Sequence, residues 1–366
     1  MNDIWHYPRN ELASLIVNGM KSDLIDRSTI FAPRKSGKTE FILKDLLPLA
    51  EEQGMLVVYV DFWRDKTNPQ QVFINAALSA MTKKKTWMSQ VKDNMGFKLD
   101  VALDGFKVGV GSKNAEQTLS LEQTFSALEA CKADILLLLD EVQHLATKPE
   151  DESFINFTAA LRSFMANRND KKVKGVFTGS SQDALSKLFA ATDAPFYDSA
   201  QTLPFKPLSE GFVEACLNTF EKVTSGKQLS KADALTVFTQ LNAIPGRFIN
   251  LLKQMALNMV YDIAKGSELF TPEIMDAEVA AFQNTVQRLT DREMAVLVQL
   301  IKTECKDPYS EVNIAKLKEN FGSSASKSTI QNAMKKLSNL DVIYKAGHGE
   351  WRFSDPAFVK YILLAK

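Results

Sequence analysis

The sequence predicts an α/β fold in which a parallel sheet is followed by a helical lid and a small C-terminal domain. Three observations support this prediction. Aliphatic runs typical of buried strands recur among helical segments before residue 208. Successive amphipathic helices follow, and from about Thr290 the pattern becomes three helices and two short strands. We therefore expect domains at 1–208, 209–284 and 285–366, which suits a chain of 366 residues.

The composition is that of a soluble globular protein, with 45% hydrophobic and 24% charged residues. Lys+Arg and Asp+Glu both number 44, so binding to nucleic acid or membrane would need a local patch. The three cysteines are far apart, which argues against a CxxC metal site or a disulfide framework. A signal peptide and apolar runs of about 20 residues are both lacking, so we expect a cytoplasmic protein without membrane contact.

Residues 30–41 read IFAPRKSGKTEF and carry the strongest functional signal. The segment fits the phosphate-binding pattern GxxxxGK[ST], with Ala32 in place of the first glycine. A β-prone stretch precedes it and a helical pattern begins at Lys38, so backbone N–H groups and the helix N-terminus would face an anion. Gly37 would permit the tight turn, Lys38 would reach the β- and γ-phosphates, and Thr39 would bind Mg²⁺. The alternative is a chance GKT in a surface loop.

Residues 134–141 read DILLLLDE, an aliphatic run that predicts a strand buried on both faces. An acidic pair closes the strand at its C-terminal end, where open α/β sheets bind ligands. We expect Asp140 to hold Mg²⁺ through a water molecule and Glu141 to act as general base on the attacking water. The alternative is a pair of carboxylates that cap a helix.

Two further strands are expected in this domain, at 55–62 and 174–178. A polar side chain after the second could sense the γ-phosphate. We favour Ser180 as this sensor, and Thr178 and Ser181 are the other candidates. An equal alternative is that the segment is a serine-rich turn that caps the next helix. Apolar residues alternate along 97–110 on both sides of Asp104-Gly105, which predicts a β-hairpin with a two-residue turn. The hairpin would be either an extension of the sheet edge or a contact for a partner protein or DNA.

The helical segment is expected to contain helices at 209–223, 231–242, 246–265 and 271–289. Arg247 falls at the start of the third, where a cation opposes the positive helix end unless an anion lies nearby. This placement favours a phosphate contact; a solvated arginine is the alternative.

The last segment, three helices and a hairpin, predicts a winged helix. Its third helix would lie in the major groove of double-stranded DNA, with phosphate contacts from the wing. Basic residues only modestly exceed acidic ones here, so a protein-docking or autoinhibitory module is the alternative. The candidate DNA contacts are Lys327, Lys335 and Lys336 on the third helix and Lys345, His348 and Arg352 on the wing.

Seven segments of the chain, taken in order, resemble the AAA+-related ATPases of the archaeal-ATPase type. They are YPRNEL, FAPRKSGKTEF, LLLLDEVQHL, GVFTGSSQDALSKLF, APFYDSAQTLPFKPLS, IPGRFINLL and YKAGHGEWRFSDPAFVKYIL. The resemblance is to members near the origin-recognition and STAND branches. It implies that Pro8 and Arg9 lie along the adenine of ATP and that Arg247 is the lid arginine that reaches the γ-phosphate. It also assigns nucleotide contacts to Ala32, Pro33, Arg34, Lys35, Ser36, Gly37, Lys38 and Thr39.

One departure from the family pattern affects the expected chemistry. Relatives often carry an arginine in the stretch at 196–199 that acts on a neighbouring subunit's nucleotide. This chain has Asp198 and Ser199 there, so hydrolysis driven by a ring of subunits is in doubt.

Three functional hypotheses follow. The first is a Mg²⁺-dependent ATPase with slow turnover, whose nucleotide state controls DNA binding through the winged helix; a protein partner or a homo-oligomer is compatible with it. The second is a STAND-like signalling or defence ATPase with a docking or autoinhibitory winged helix. The third is an ATPase that selects targets for a mobile-element enzyme.

Overall fold

The parallel sheet forms the centre of the first 208 residues. The computed structural model describes residues 3–32, 35–83, 119–146, 151–166, 173–180, 188–189, 194, 196, 199–321, 326–340, 342–347 and 350–364. The hairpin expected at 97–110 lies outside these ranges. Within them, no helix is both long and apolar enough to cross a membrane.

Five described strands form one sheet, in the order β2-β3-β4-β1-β5, and every neighbouring pair is parallel. The four strands expected from the aliphatic runs are confirmed, and β5 is a strand that the sequence pattern did not indicate. Strand β4 lies between β1 and β3, so its C-terminal end separates the phosphate loop from the acidic pair. The strands are β1 Arg27–Phe31, β2 Leu56–Asp61, β3 Ile135–Asp140, β4 Val173–Gly179 and β5 Gln201–Pro204.

Strand β3 shows why this sheet needs continuous apolar runs. Leu137 and Leu139 pack into the core on one face, and Leu136 and Leu138 pack into the core on the other. Both faces are covered because helices flank the sheet on each side. On the first face lie α4 Pro69–Thr82, α5 Leu121–Ala130 and α6 Glu152–Ala166; on the second lie α1 Asn10–Lys21, α2 Lys38–Phe41, a π-helical segment Ile42–Leu46 and α3 Leu47–Glu52.

The next segment is helical and has a separate core, in which the rings of Phe212, Phe238 and Phe248 pack against one another. Trp5 from the N-terminal segment joins this core rather than that of the sheet. The helices are α7 Glu210–Val223, α8 Lys231–Gln240, α9 Pro245–Leu257 and α10 Ile263–Gln287.

The prediction of one helix at 246–265 is wrong in one respect, because the helix is interrupted there and two helices, α9 and α10, form instead. Met259 has a φ of +56°, which ends α9, and the Asp262 carboxylate accepts the Lys265 N–H and starts α10. Helix α10 then continues through Pro272, where the sequence pattern placed a helix start.

The C-terminal segment contains the three helices and the antiparallel hairpin that the sequence predicts, followed by one more helix. Phe282 of α10 packs into this core, so α10 runs across the expected boundary at 284 and connects the two helical cores. The elements are α11 Asp291–Lys302, α12 Glu311–Phe321, α13 Lys327–Asn339, β6 Ile343–Gly347, β7 Glu350–Phe353 and α14 Pro356–Leu364.

The crossing of α9 and α10 depends on a glycine. A Cβ added at Gly266 would lie 2.5 Å from Sδ, 2.6 Å from Cγ and 2.9 Å from Cε of Met255. We expect Gly266→Ala to lower the free energy of unfolding by about 1–2 kcal/mol, because overpacking outweighs the gain in helix propensity. Urea denaturation measures the change.

Gly246→Ala is the matched control, because a Cβ at Gly246 would have no heavy atom within 4 Å. We expect this variant to be as stable as the parent or slightly more stable. A Gly266→Ala protein that matched or exceeded the parent's stability would contradict the close packing of α9 on α10.

Candidate functional site

The loop between β1 and α2 has open space beside Gly37. Gly37 has a φ of +89°, and a Cβ at this position would have no heavy atom within 4 Å. The hydroxyl of Ser36 is buried and has no hydrogen-bond partner among the described residues. Because a buried orphan hydroxyl is costly, this loop fits a ligand that accepts hydrogen bonds, as a phosphate does. Pro33 and Arg34 lie outside the described residues.

The Lys38 side chain folds back into the loop. It is only 5% exposed, and its Nζ donates to the carbonyl oxygen of Ala32 at 2.6 Å. Ala32 is itself buried. The ammonium group is thereby held inside the loop, where an anionic ligand would lie.

The Thr39 hydroxyl and the Asp140 carboxylate meet beside this loop. Thr39 Oγ1 donates to Asp140 Oδ2 at 2.8 Å, across 101 residues of sequence. Asp140 also accepts hydrogen bonds from the hydroxyls of Thr178 and of Tyr59, the latter at 3.3 Å, and from the backbone N–H of Glu141. These donors fix the orientation of a carboxylate that is 1% exposed.

Tyr59 is part of the site, although sequence reasoning missed it. Burial and the charge of Asp140 raise the pKa of Tyr59 well above its usual range. The phenol therefore stays protonated and acts as a donor to Asp140. Its position on β2, within an aliphatic run, gave only the weak signal of one polar group in a buried strand.

The pair Thr39 and Asp140 fits one Mg²⁺ ion. Octahedral ligands at about 2.1 Å from the metal lie about 3 Å apart, and the two oxygens are 2.8 Å apart. Among the described residues, no group of three or more His, Cys, Asp or Glu side chains could hold a metal. A hydroxyl and one carboxylate suit Mg²⁺, which commonly takes its other ligands from water and phosphate.

Glu141 lies next to this pair and has a φ of +54°. Its Oε2 accepts hydrogen bonds from the amide of Gln143 and from the hydroxyl of Ser180, the latter at 3.2 Å. Gln143 Nε2 also donates to Ser180 Oγ at 3.1 Å. Of the serine and threonine candidates, the structure brings Ser180 to Glu141 and Thr178 to Asp140, and Ser181 lies outside the described residues.

Gln143 is a second residue that sequence reasoning missed. It is buried and bridges Glu141 and Ser180. The only signal was an amide two residues after the acidic pair. The bridge forms because β4 is the neighbour of β3, and that strand order cannot be seen in the motifs.

A cleft of about 940 Å³ opens above the phosphate loop, between the N-terminal segment and helix α9. Arg9 lines it, with the guanidinium over the Phe205 ring at 3.9 Å and Nη1 donating to the Lys206 carbonyl at 2.6 Å. Burial lowers the pKa of Arg9, and the charge of Asp45 acts in the opposite direction. Pro8 is exposed and is not among the residues that line the cleft.

The N-terminal segment is fastened to the helix that follows the phosphate loop. Asp45 Oδ1 lies 2.6 Å from His6 Nε2, and Asp45 Oδ2 accepts the backbone N–H of Arg9 at 3.0 Å. Asp45 is buried between apolar neighbours of the π-helical segment. A carboxylate on the buried side of a predicted helix was the available sequence signal.

Arg247 lies in the same cleft, and it is buried rather than solvated, at 3% exposure. Its Nη1 donates to the Leu241 carbonyl at 3.3 Å, and its Nη2 lies 3.4 Å from Asp355 Oδ2. Lys35 Nζ of the phosphate loop lies 3.5 Å from the same carboxylate oxygen. Two of the predicted phosphate contacts therefore meet an acidic side chain of the C-terminal segment.

Four of the candidate DNA contacts, Lys327, Lys335, Lys336 and Arg352, are not among the residues that line the cleft. The side chains of Lys327, Lys335 and Arg352 are exposed. Lys336 is partly buried and pairs with Glu293 at 2.7 Å. Lys345 belongs to β6, and His348 lies outside the described residues.

Comparisons with known proteins identify the fold. No protein-family model and no curated protein matches the sequence. Among solved structures, a Walker-type ATPase of Pyrococcus abyssi has a TM-score of 0.61 at 13% identity, covering 98% of this chain and 99% of that chain. The ORC2 protein of Aeropyrum pernix in its ADP form has a TM-score of 0.53 at 14% identity, covering 99% of this chain and 97% of that chain.

This chain shares the fold of these two structures. The expected parallel-sheet core is thereby confirmed. Sequence identity this low establishes the shared fold alone, so the roles of individual residues depend on their geometry.

The anchoring by Asp45 can be tested directly. We expect Asp45→Ala to lower the free energy of unfolding by about 1.5–3 kcal/mol, because hydrogen bonds to a buried charged acceptor are lost. The amide of Arg9 should exchange with solvent faster, which hydrogen–deuterium exchange measures.

Asp65→Ala is the control, because the Asp65 carboxylate accepts hydrogen bonds from Thr67 and Asn68, two and three residues away in an exposed turn. It should leave the Arg9 amide unchanged. Equal protection of that amide in the parent and in Asp45→Ala would show that another contact holds the N-terminal segment.

Proposed function

We propose that the chain is an ATP-binding molecular switch that hydrolyses ATP slowly and whose nucleotide state controls DNA binding. The observation that carries this proposal is the contact of Thr39 with Asp140 beside an open phosphate loop. It places a hydroxyl and a carboxylate of the type that Mg²⁺ prefers next to a loop that suits phosphate.

Different residues of the cleft would bind different parts of ATP. The backbone N–H groups around Gly37 and the ammonium group of Lys38 would hold the phosphates. Thr39 and Asp140 would hold Mg²⁺, which supplies a Lewis acid that neutralises phosphate charge. Tyr7 and Arg9 lie along the same cleft and offer an aromatic ring and a cation to the base and ribose.

Glu141 is the proposed general base, since it lines the cleft and directly follows Asp140. Gln143 and Ser180 both donate to its Oε2. Asp198 and Ser199, at positions where relatives often have an arginine, support slow turnover.

The expected domains, 1–208, 209–284 and 285–366, are retained as functional units in this proposal. Separate hydrophobic cores in the sheet, in the α7–α10 segment and in the C-terminal segment support them. Because α10 contributes to both helical cores, a movement of the lid would carry the C-terminal unit with it.

The C-terminal unit is proposed to be a winged helix that binds double-stranded DNA. Helix α13 exposes Lys327 and Lys335, and β7 exposes Arg352, all cations suited to phosphate contacts. Lys345 and His348 are retained as wing contacts. Lys336 would contribute less, because Glu293 already neutralises part of its charge.

A second candidate function is a STAND-like signalling ATPase in which the C-terminal unit is autoinhibitory. The contact of Asp355 with both Lys35 and Arg247 favours it, because the C-terminal unit then lies against the nucleotide cleft. In this case a protein or foreign molecule, rather than DNA, would be the partner.

Measurements of nucleotide binding and of turnover distinguish the role of Lys38 from that of Glu141. We expect Lys38→Ala to weaken ATP binding by at least about 100-fold, because a buried cation is removed from the phosphate site. Glu141→Gln should bind ATP within about threefold of the parent and lose at least about 100-fold in turnover. A fluorescent ATP analogue measures binding, and released phosphate measures turnover.

Lys21→Ala, at an exposed lysine of α1, is the control for loss of a positive charge. It should leave both quantities unchanged. Unaltered turnover in Glu141→Gln would remove Glu141 from the role of base.

DNA binding is tested by fluorescence anisotropy of a labelled 30-base-pair duplex at several salt concentrations, with and without ATP. We expect affinity to fall with salt, because phosphate contacts release counterions. The variant Lys327→Ala/Lys335→Ala should bind more weakly, with a slope of log affinity against log salt that is lower by about 2.

Lys302→Ala/Lys360→Ala removes two other exposed lysines of the same unit and should change the slope little. No binding to the duplex at low salt, with or without ATP, would contradict the DNA proposal and favour the signalling candidate.

A further inference from the structure

One carboxylate oxygen of the C-terminal unit lies between cations from two sides of the cleft. Asp355 Oδ2 is 3.4 Å from Arg247 Nη2 and 3.5 Å from Lys35 Nζ. Lys35 belongs to the phosphate loop, and Arg247 belongs to the lid helix α9. A bridging anion between these two cations has the charge arrangement expected of a terminal phosphate.

Arg247 is a buried cation, and Asp355 is one anion that it contacts. The Arg247 side chain is 3% exposed and lies in the first turn of α9, where the helix dipole adds positive charge. Burial of an uncompensated cation is strongly unfavourable. The Leu241 carbonyl provides a neutral acceptor, and Asp355 provides the opposite charge.

We propose that Asp355 is an internal competitor of the γ-phosphate of ATP, which holds the C-terminal unit against the cleft until ATP displaces it. This inference rests on the proposed ATP site. Both ion-pair distances lie at the long end of the range, so the carboxylate holds the cations loosely. A terminal phosphate offers more charge and more acceptor oxygens than a carboxylate and would replace it. ADP lacks this group and would leave the contact in place.

Displacement of Asp355 would move more than one side chain. Its Oδ1 accepts the backbone N–H of Ala357 at 2.9 Å, at the start of α14. Phe358 of α14 packs on Phe282 of α10, with ring centroids 5.2 Å apart. The carboxylate is therefore attached to a helix that packs in the C-terminal core, and its release would free that unit rather than a loop.

A plain helix cap is the structural alternative for Asp355, and one substitution distinguishes the two. Asparagine caps helices about as well as aspartate, so Asp355→Asn keeps the cap and removes the charge. Asp262→Asn is the matched control, because Asp262 caps α10 by accepting the Lys265 N–H at 2.9 Å and is exposed.

The first measurement is the affinity for ATP and for ADP, titrated in the full chain with Mg²⁺. We expect Asp355→Asn to bind ATP about three- to tenfold more tightly than the parent, which corresponds to removal of a partly exposed ion pair. ADP affinity should change by less than about twofold, because it does not compete. Asp262→Asn should match the parent for both nucleotides.

The outcomes separate two kinds of failure. A parent chain that binds neither nucleotide would overturn the proposed ATP site, and the competition with it. A parent that binds ATP, with an Asp355→Asn variant of equal affinity, would overturn the competition alone. Equal tightening for ATP and ADP would also overturn it, because the γ-phosphate would then not be the competing group.

The second measurement needs no nucleotide turnover. Spin labels at Ser126→Cys on α5 and Lys360→Cys on α14 report the distance between the core and the C-terminal unit, and the three native cysteines are buried. We expect one narrow distance distribution in the nucleotide-free parent. ATP in the parent, or Asp355→Asn without nucleotide, should broaden or lengthen it. A nucleotide-free Asp355→Asn distribution identical to that of the parent would overturn the proposal.

Discussion

The hydrogen bond between Thr39 and Asp140 is the contact on which the rest of the site depends. It joins the first turn of α2 to the end of β3, two points 101 residues apart in sequence. Thr178 and Tyr59 support it from β4 and β2. The arrangement requires parallel strands that all end at one edge, and the two fully covered faces of β3 hold that edge in place.

Three parts of the chain contribute charged side chains at or beside the cleft near this contact. The N-terminal segment is held by Asp45, the lid contributes Arg247, and the C-terminal unit contributes Asp355. Four of the cations that line the cleft, Arg9, Lys35, Lys38 and Arg247, are the ones proposed to contact the nucleotide. Asp355, a residue of the same chain, is a counter-ion for the buried Arg247.

The sequence predicted those parts of the structure that depend on local pattern. Aliphatic runs located strands β1 to β4, and the GKT and DE motifs located Thr39 and Asp140, which the structure brings together. The break between α9 and α10 was missed, because it depends on a left-handed backbone at Met259 and a cap at Asp262 that the apolar periodicity does not show. Gln143 and Asp355 were missed for another reason. Their partners are distant in sequence, and only the strand order and the packing of the C-terminal unit bring them to the site.

A crystal structure of the chain with Mg²⁺ and a non-hydrolysable ATP analogue would test this site most directly. We predict that the triphosphate lies in the loop that ends at Thr39, with one metal ion between the Thr39 hydroxyl and the Asp140 carboxylate, contacted directly or through water. A nucleotide bound elsewhere, or a metal that neither residue approaches, would contradict it.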